Sequence, residues 1–112
     1  MLLDRPLKVA QDDFQRTVLE ARAPVLVDFY ADWCAPCKVV APVVDELAQA
    51  HTGALLVAKV DSDHAPDLSQ RYGIRGIPTL ILFRAGAELG RVVGADVRGV
   101  RELVRAHLQP AP

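Results

Sequence analysis

Cysteine is scarce in this chain of 112 residues: there are two, Cys34 and Cys37. A small disulfide-held scaffold normally carries four or more, so the fold must rest on a hydrophobic core. A bridge between residues three apart closes almost no loop and stabilises little; the pair is therefore placed for chemistry. No apolar run approaches the ~18 residues of a membrane span. Residues 1–6 lack the basic start and apolar stretch of a secretory signal, so none is expected. Neither charge is in excess: Lys+Arg 13 against Asp+Glu 14 leaves −1. The basic surplus of a nucleic-acid or anionic-membrane binder is missing, and the balanced surface suggests a monomer. His51, His64 and His107 show no ligand spacing and there is no second cysteine pair, so neither a metal nor another cofactor is expected. Repeats, low-complexity tracts and linkers are also absent, and residues 1–112 read as a single domain. Apolar residues make up 51% of the chain. A domain of this length can bury about two-thirds of its surface, so there is material for a core.

The apolar pattern alternates between strands and helices. Residues 7–10 suit a short first strand. Asp12 or Asp13 then reads as a helix cap, with Phe14, Val18 and Leu19 on one face. The nearly continuous apolar run 24–30 suits a central strand buried on both faces. A helix follows from the cysteines to about His51, with Val40, Val43, Val44 and Leu47 inward. Pro42 within it predicts a kink, and Gly53 ends it. Residues 55–61 form a second long strand, and strand–helix–strand in this order predicts a parallel pair. Residues 65–72 read as a short helix with Leu68 and Tyr72 inward. Residues 79–84 and 88–93 read as a hairpin about Ala85-Gly86-Ala87. Val97, Val100, Leu103, Val104 and Leu108 give a last amphipathic helix, with a frayed tail over 109–112. The fold class is α/β: a central mixed sheet of about five strands flanked by about four helices.

Cys34 and Cys37 stand at i and i+3 where a helix begins. Side chains so spaced are neighbours, with Cβ atoms about 5–6 Å apart. A small adjustment brings them to the 3.5–4.5 Å that a disulfide needs, roughly, so the pair can alternate between dithiol and disulfide without refolding. Free N–H groups and the positive helix end favour a thiolate at Cys34 and lower its pKa. Cys34 is thus the expected nucleophile, and Cys37, one turn inside, the expected resolving thiol. Pro36 lies in the first turn, where a missing N–H costs little. A histidine there would favour an oxidant; proline favours a reductant. Asp28 is out of place in its apolar run. Buried without a partner it should have a raised pKa and can exchange protons with Cys37; otherwise it faces solvent. Lys59 on the next strand is a candidate partner. Ile77-Pro78 precedes a strand, and X-Pro is the bond at which cis is cheap, although a trans proline fits the same pattern. Trp33, beside the cysteines, offers either a contact surface or a core residue.

Four segments together resemble the thioredoxin family. They are Val25-Leu26-Val27-Asp28-Phe29-Tyr30-Ala31-Asp32-Trp33-Cys34-Ala35-Pro36-Cys37-Lys38 with Ala41-Pro42, Val57-Ala58-Lys59-Val60-Asp61, Tyr72-Gly73-Ile74-Arg75-Gly76-Ile77-Pro78-Thr79, and Val93-Gly94-Ala95. The resemblance implies a thioredoxin fold and a cytoplasmic protein disulfide reductase. It implies a redox disulfide Cys34–Cys37, with Cys34 attacking, Cys37 resolving, Asp28 handling the proton and Lys59 beside it. It implies a cis bond before Pro78. Trp33, Ala35, Pro36, Gly76, Ile77 and Gly94 match the docking surface for oxidised client proteins, and a thioredoxin reductase would supply electrons. Two residues depart from the pattern: Ala35 stands where glycine is usual, and Tyr30 where tryptophan is frequent. A redox-silent partner subunit and a secreted oxidase or isomerase share this fold. Pro36 argues against the oxidase.

Overall fold

The computed structural model describes residues 3–108; the tail expected over 109–112 lies outside them. Five strands form one sheet: β1 (Leu7–Lys8), β2 (Val25–Tyr30), β3 (Leu56–Asp61), β4 (Thr79–Arg84) and β5 (Ala87–Val93), in the order β1-β3-β2-β4-β5. β2 runs parallel to β3 and antiparallel to β4, which pairs antiparallel with β5. The α-helices are α1 (Ala35–Ala50), α2 (Pro66–Arg71) and α3 (Val97–Leu108).

Strand periodicity sorts the core into two layers. Val25, Val27 and Phe29 of β2 point to one face, where they meet Phe14, Val18 and Leu68. Leu26 points to the other, with Leu80 and Leu82 of β4, against Val40, Val44 and Leu47 of α1 and Val100 and Val104 of α3. Asp28 follows the parity of Leu26 and so lies on the α1 face, fully inside the protein. This layering suspends the start of α1 over the end of β2, which is where the cysteines are.

One expectation about the helices needs correction. Residues 11–19 are not a capped α-helix. A 3₁₀ turn, Gln11–Asp13, leads into a π-helical segment, Gln15–Leu19. Neither Asp12 nor Asp13 is its cap: Ala10 precedes the turn without a side-chain hydrogen bond, and Asp13 is bonded to Arg16 at 2.8 Å. Gln11 serves another element. Its Oε1 accepts from Asp67 N at 2.8 Å and so caps α2. The flanking helices are therefore three α-helices and this irregular segment. Within α1 the helix continues through Pro42. That residue faces solvent, where water can serve the carbonyl left without its N–H donor.

The hairpin turn is tighter than read. β5 already begins at Ala87, leaving Ala85 (φ 52°) and Gly86 (φ 81°) as the two-residue turn. Positive φ at both positions matches the twist of the paired strands but strains a residue with a Cβ. Replacing Ala85 by asparagine, which tolerates this region, should raise stability by about 1 kcal/mol, read as a higher urea midpoint at unchanged slope.

Candidate functional site: a redox-active cysteine pair

β2 ends at Tyr30, and a short loop carries the chain to Cys34, the N-cap of α1. Cys34 is extended (φ −87°, ψ 106°), and its Sγ accepts the N–H of Cys37 at 3.2 Å. The sulfur thus takes the place of the oxygen that usually caps a helix. Negative charge on it is stabilised there by the N–H and by the helix dipole. Pro36 occupies the first turn, as the sequence suggested. The two cysteines are joined as a disulfide, with Cα atoms 5.3 Å apart.

Three segments distant in sequence meet at this bond. Ile77-Pro78 is a cis peptide, and the Ile77 carbonyl oxygen stands 3.7 Å from Cys34 Sγ. The Thr79 hydroxyl donates to the Gly76 carbonyl at 2.5 Å, and Gly94 N donates to the Pro78 carbonyl at 2.7 Å. These bonds tie the connection before β4 to the end of β5. Gly94 has φ +93°, a backbone open to glycine and strained for other residues. Cys34 itself is only 3% exposed. The rim is open and largely apolar: Trp33 is 71% and Val93 62% exposed, and Ala35, Pro36 and Gly76 also face solvent.

Asp28 lies beneath. It is 1% exposed, and neither carboxylate oxygen has a hydrogen-bond partner among the described residues. Burial raises its pKa to about 6, against a smaller opposing effect of the Lys59 charge; Asp45 adds a further upward push. Lys59 is the register neighbour of Asp28 across β2 and β3, yet it makes no hydrogen bond to it. Its Nζ sits over the Tyr30 ring, 4.7 Å from the centroid. The pairing expected from the sequence is thus replaced by a cation–π contact, and Lys59 acts on Asp28 only through space. A cavity of about 130 Å³ has Tyr30, Cys37 and Lys59 in its wall, so the buried side of the pair is not sealed.

Two residues at the site escaped the sequence reading. Val93 carries no site role in the sequence, but alternation with the half-buried Val92 turns it outward. Asp63 accepts the Trp33 indole N–H at 2.7 Å; nothing in its sequence context announces that.

The thioredoxin family model matches residues 5–106. The chain belongs to the thioredoxin family. It is 50% identical over 88 residues to thioredoxin 1 of Nostoc sp., covering 79% of this chain and 82% of that one. It is 48% identical over 92 residues to a thioredoxin of Acidithiobacillus ferridurans, covering 82% and 85%. A chloroplastic M-type thioredoxin of Chlamydomonas reinhardtii is 45% identical over 87 residues, with 78% and 62% covered. The fold agrees with a solved mutant thioredoxin from Halobacterium salinarum at a TM-score of 0.87 and 38% identity, over 100% of this chain and 98% of the other. Thioredoxins are thiol-disulfide oxidoreductases, and the cysteine pair at bonding distance makes this chain a protein disulfide reductase. Among the described residues no helix is long and apolar enough to cross a membrane.

Proposed function

We propose that the reduced protein transfers two electrons to oxidised client proteins through a mixed disulfide. Cys34, as thiolate, attacks one sulfur of a client disulfide. A Cys34–client bond forms, the client S–S bond breaks, and one client thiolate leaves. Cys37 then gives its proton to the Asp28 carboxylate and attacks Cys34 Sγ. The second client thiolate leaves, and the Cys34–Cys37 disulfide remains. A thioredoxin reductase returns two electrons and the protons. The reading rests above all on Cys34 Sγ at the cap of α1, accepting the Cys37 N–H beside an open apolar rim.

The rim supplies client binding. Trp33, Ala35, Pro36, Val93 and Gly94 give apolar and backbone surface around the bond. Gly76, Ile77 and Pro78 lie ahead of β4, so the Ile77 backbone is free to pair with an extended client segment. Asp28 suits proton transfer because its pKa of about 6 lies near neutrality. Lys59 adjusts that value through its charge. The working unit is a cytoplasmic monomer, with residues 1–112 as one thioredoxin domain and no metal or other cofactor.

The equilibrium redox potential against glutathione tests the direction of transfer. Pro36 between the cysteines predicts a reductant, near the about −270 mV characteristic of thioredoxins; a potential near about −120 mV would make the protein an oxidase instead.

A further inference from the structure

Trp33 is the most exposed large apolar side chain among the described residues, and it flanks the attacking sulfur. A ring so free of packing needs something to hold it, because an unrestrained side chain must be ordered again at each encounter. The one hydrogen bond made by its indole runs to Asp63 Oδ2, at 2.7 Å. Asp63 in turn sits in a single 3₁₀ turn, Ser62–His64, that closes off β3. The last residue of β3, Asp61, caps this turn. Its Oδ1 accepts the Asp63 N–H at 3.0 Å, and its Oδ2 meets His64 Nδ1 at 3.0 Å. Both oxygens of Asp61 are thus engaged within the turn, and the register pair Tyr30–Asp61 anchors it to β2 just before the loop that carries Trp33.

We propose that Asp61 and His64 are positioning residues for client binding: they hold the turn that presents Asp63 to the Trp33 indole, and so fix the ring beside Cys34. The inference rests on the reading of Trp33 as part of the docking rim. Neither residue reaches the sulfurs. Their effect falls on how tightly a client is gripped and not on the exchange step.

Trp33 is the only tryptophan, so the indole N–H resonance reports on this contact alone. In Asp61→Ala, the loss of one hydrogen bond from the turn should shift that resonance and speed its exchange with solvent about threefold to tenfold. In stopped-flow oxidation of the pre-reduced protein by insulin, the half-saturating insulin concentration should rise by a similar factor at an unchanged limiting rate. Asp63→Ala should do the same, and the double variant Asp61→Ala/Asp63→Ala should be no worse than Asp63→Ala alone. Asp61→Asn keeps an acceptor for the Asp63 N–H and should hold both readouts close to wild type. His64→Ala, at an exposed side chain, should move both readouts in the same direction by less, and it decides the question if Asp61→Ala fails to fold. An unmoved indole signal in these variants overturns the proposal, as do strictly additive effects or a lower limiting rate at unchanged half-saturation. If the wild type leaves insulin oxidised, it is the proposed client reduction that fails, and the indole resonance still tests the positioning role.

Discussion

Replacing Cys34 by serine should bring reduction of insulin disulfides down to the uncatalysed background. A hydroxyl at the cap of α1 can still accept the Cys37 N–H, so the helix start survives; what disappears is the nucleophile. Replacing Cys37 by serine has a different signature. Cys34 still attacks, but no thiol follows, and the protein should accumulate covalently joined to its client. Non-reducing gels and intact mass measure this directly. The adduct should vanish on addition of dithiothreitol and should be missing from the Cys34→Ser/Cys37→Ser double variant. Full insulin reduction by Cys34→Ser would reverse the assignment of the two sulfurs, which stands on the 3.2 Å bond from Cys37 N to Cys34 Sγ.

The stability of the oxidised protein should fall as pH rises, because of Asp28. Its carboxyl pKa is about 6 in the fold against an ordinary value of 3.8. The folded state therefore holds this proton more tightly than the unfolded chain does. The stabilisation is fully present below the lower of these values and is lost as pH rises through the upper one. Above that window the unpartnered charge costs about 3 kcal/mol. Asparagine at this position keeps the volume and removes the titration. The stability of Asp28→Asn minus that of wild type should thus increase by about 3 kcal/mol between about pH 3 and about pH 8, as measured by urea unfolding at each pH. A pH-independent difference would mean that Asp28 does not titrate in this window. The same variant should prolong the life of the mixed disulfide near neutrality, because the Cys37 thiol loses its acceptor.

A carboxylate with this cost in the middle of a strand is what made the site legible. Asp28 breaks an otherwise apolar run, and burial on the α1 face follows from its parity with Leu26. Cys34, Pro36 and Cys37 were legible for a similar reason: their roles depend on position along one helix, and position along a helix is a local matter. The mixed sheet was legible because its strands are near-continuous apolar runs joined by elements of recognisable length. Residues 11–19 misled because Asp12 and Asp13 fit the composition of a cap, whereas Asp13 is engaged by Arg16. Gln11 carries no signal of its own in the sequence, yet it caps α2 from 56 positions away.

Lys59 shows where such reasoning stops. Register placed it beside Asp28, and charge suggested a pair. The choice between a buried carboxylate and the face of Tyr30 depends on desolvation, which a sequence pattern does not express. The ammonium can stay solvated on the ring, so it does.

The sequence alone therefore determined the chemistry: two thiols at helical spacing, a proline that favours the reductant, and an acid in an apolar strand. It also determined the layering, since alternation along each strand dictates which face a side chain joins. The tertiary structure alone decided the surroundings of that chemistry. It brought the Ile77 carbonyl to Cys34, turned Val93 and Trp33 into a rim, and linked Trp33 through Asp63 to the end of β3. Those contacts join segments separated by 30 residues or more. They arise only when the sheet closes, because no local pattern specifies which distant backbone will arrive beside a given atom.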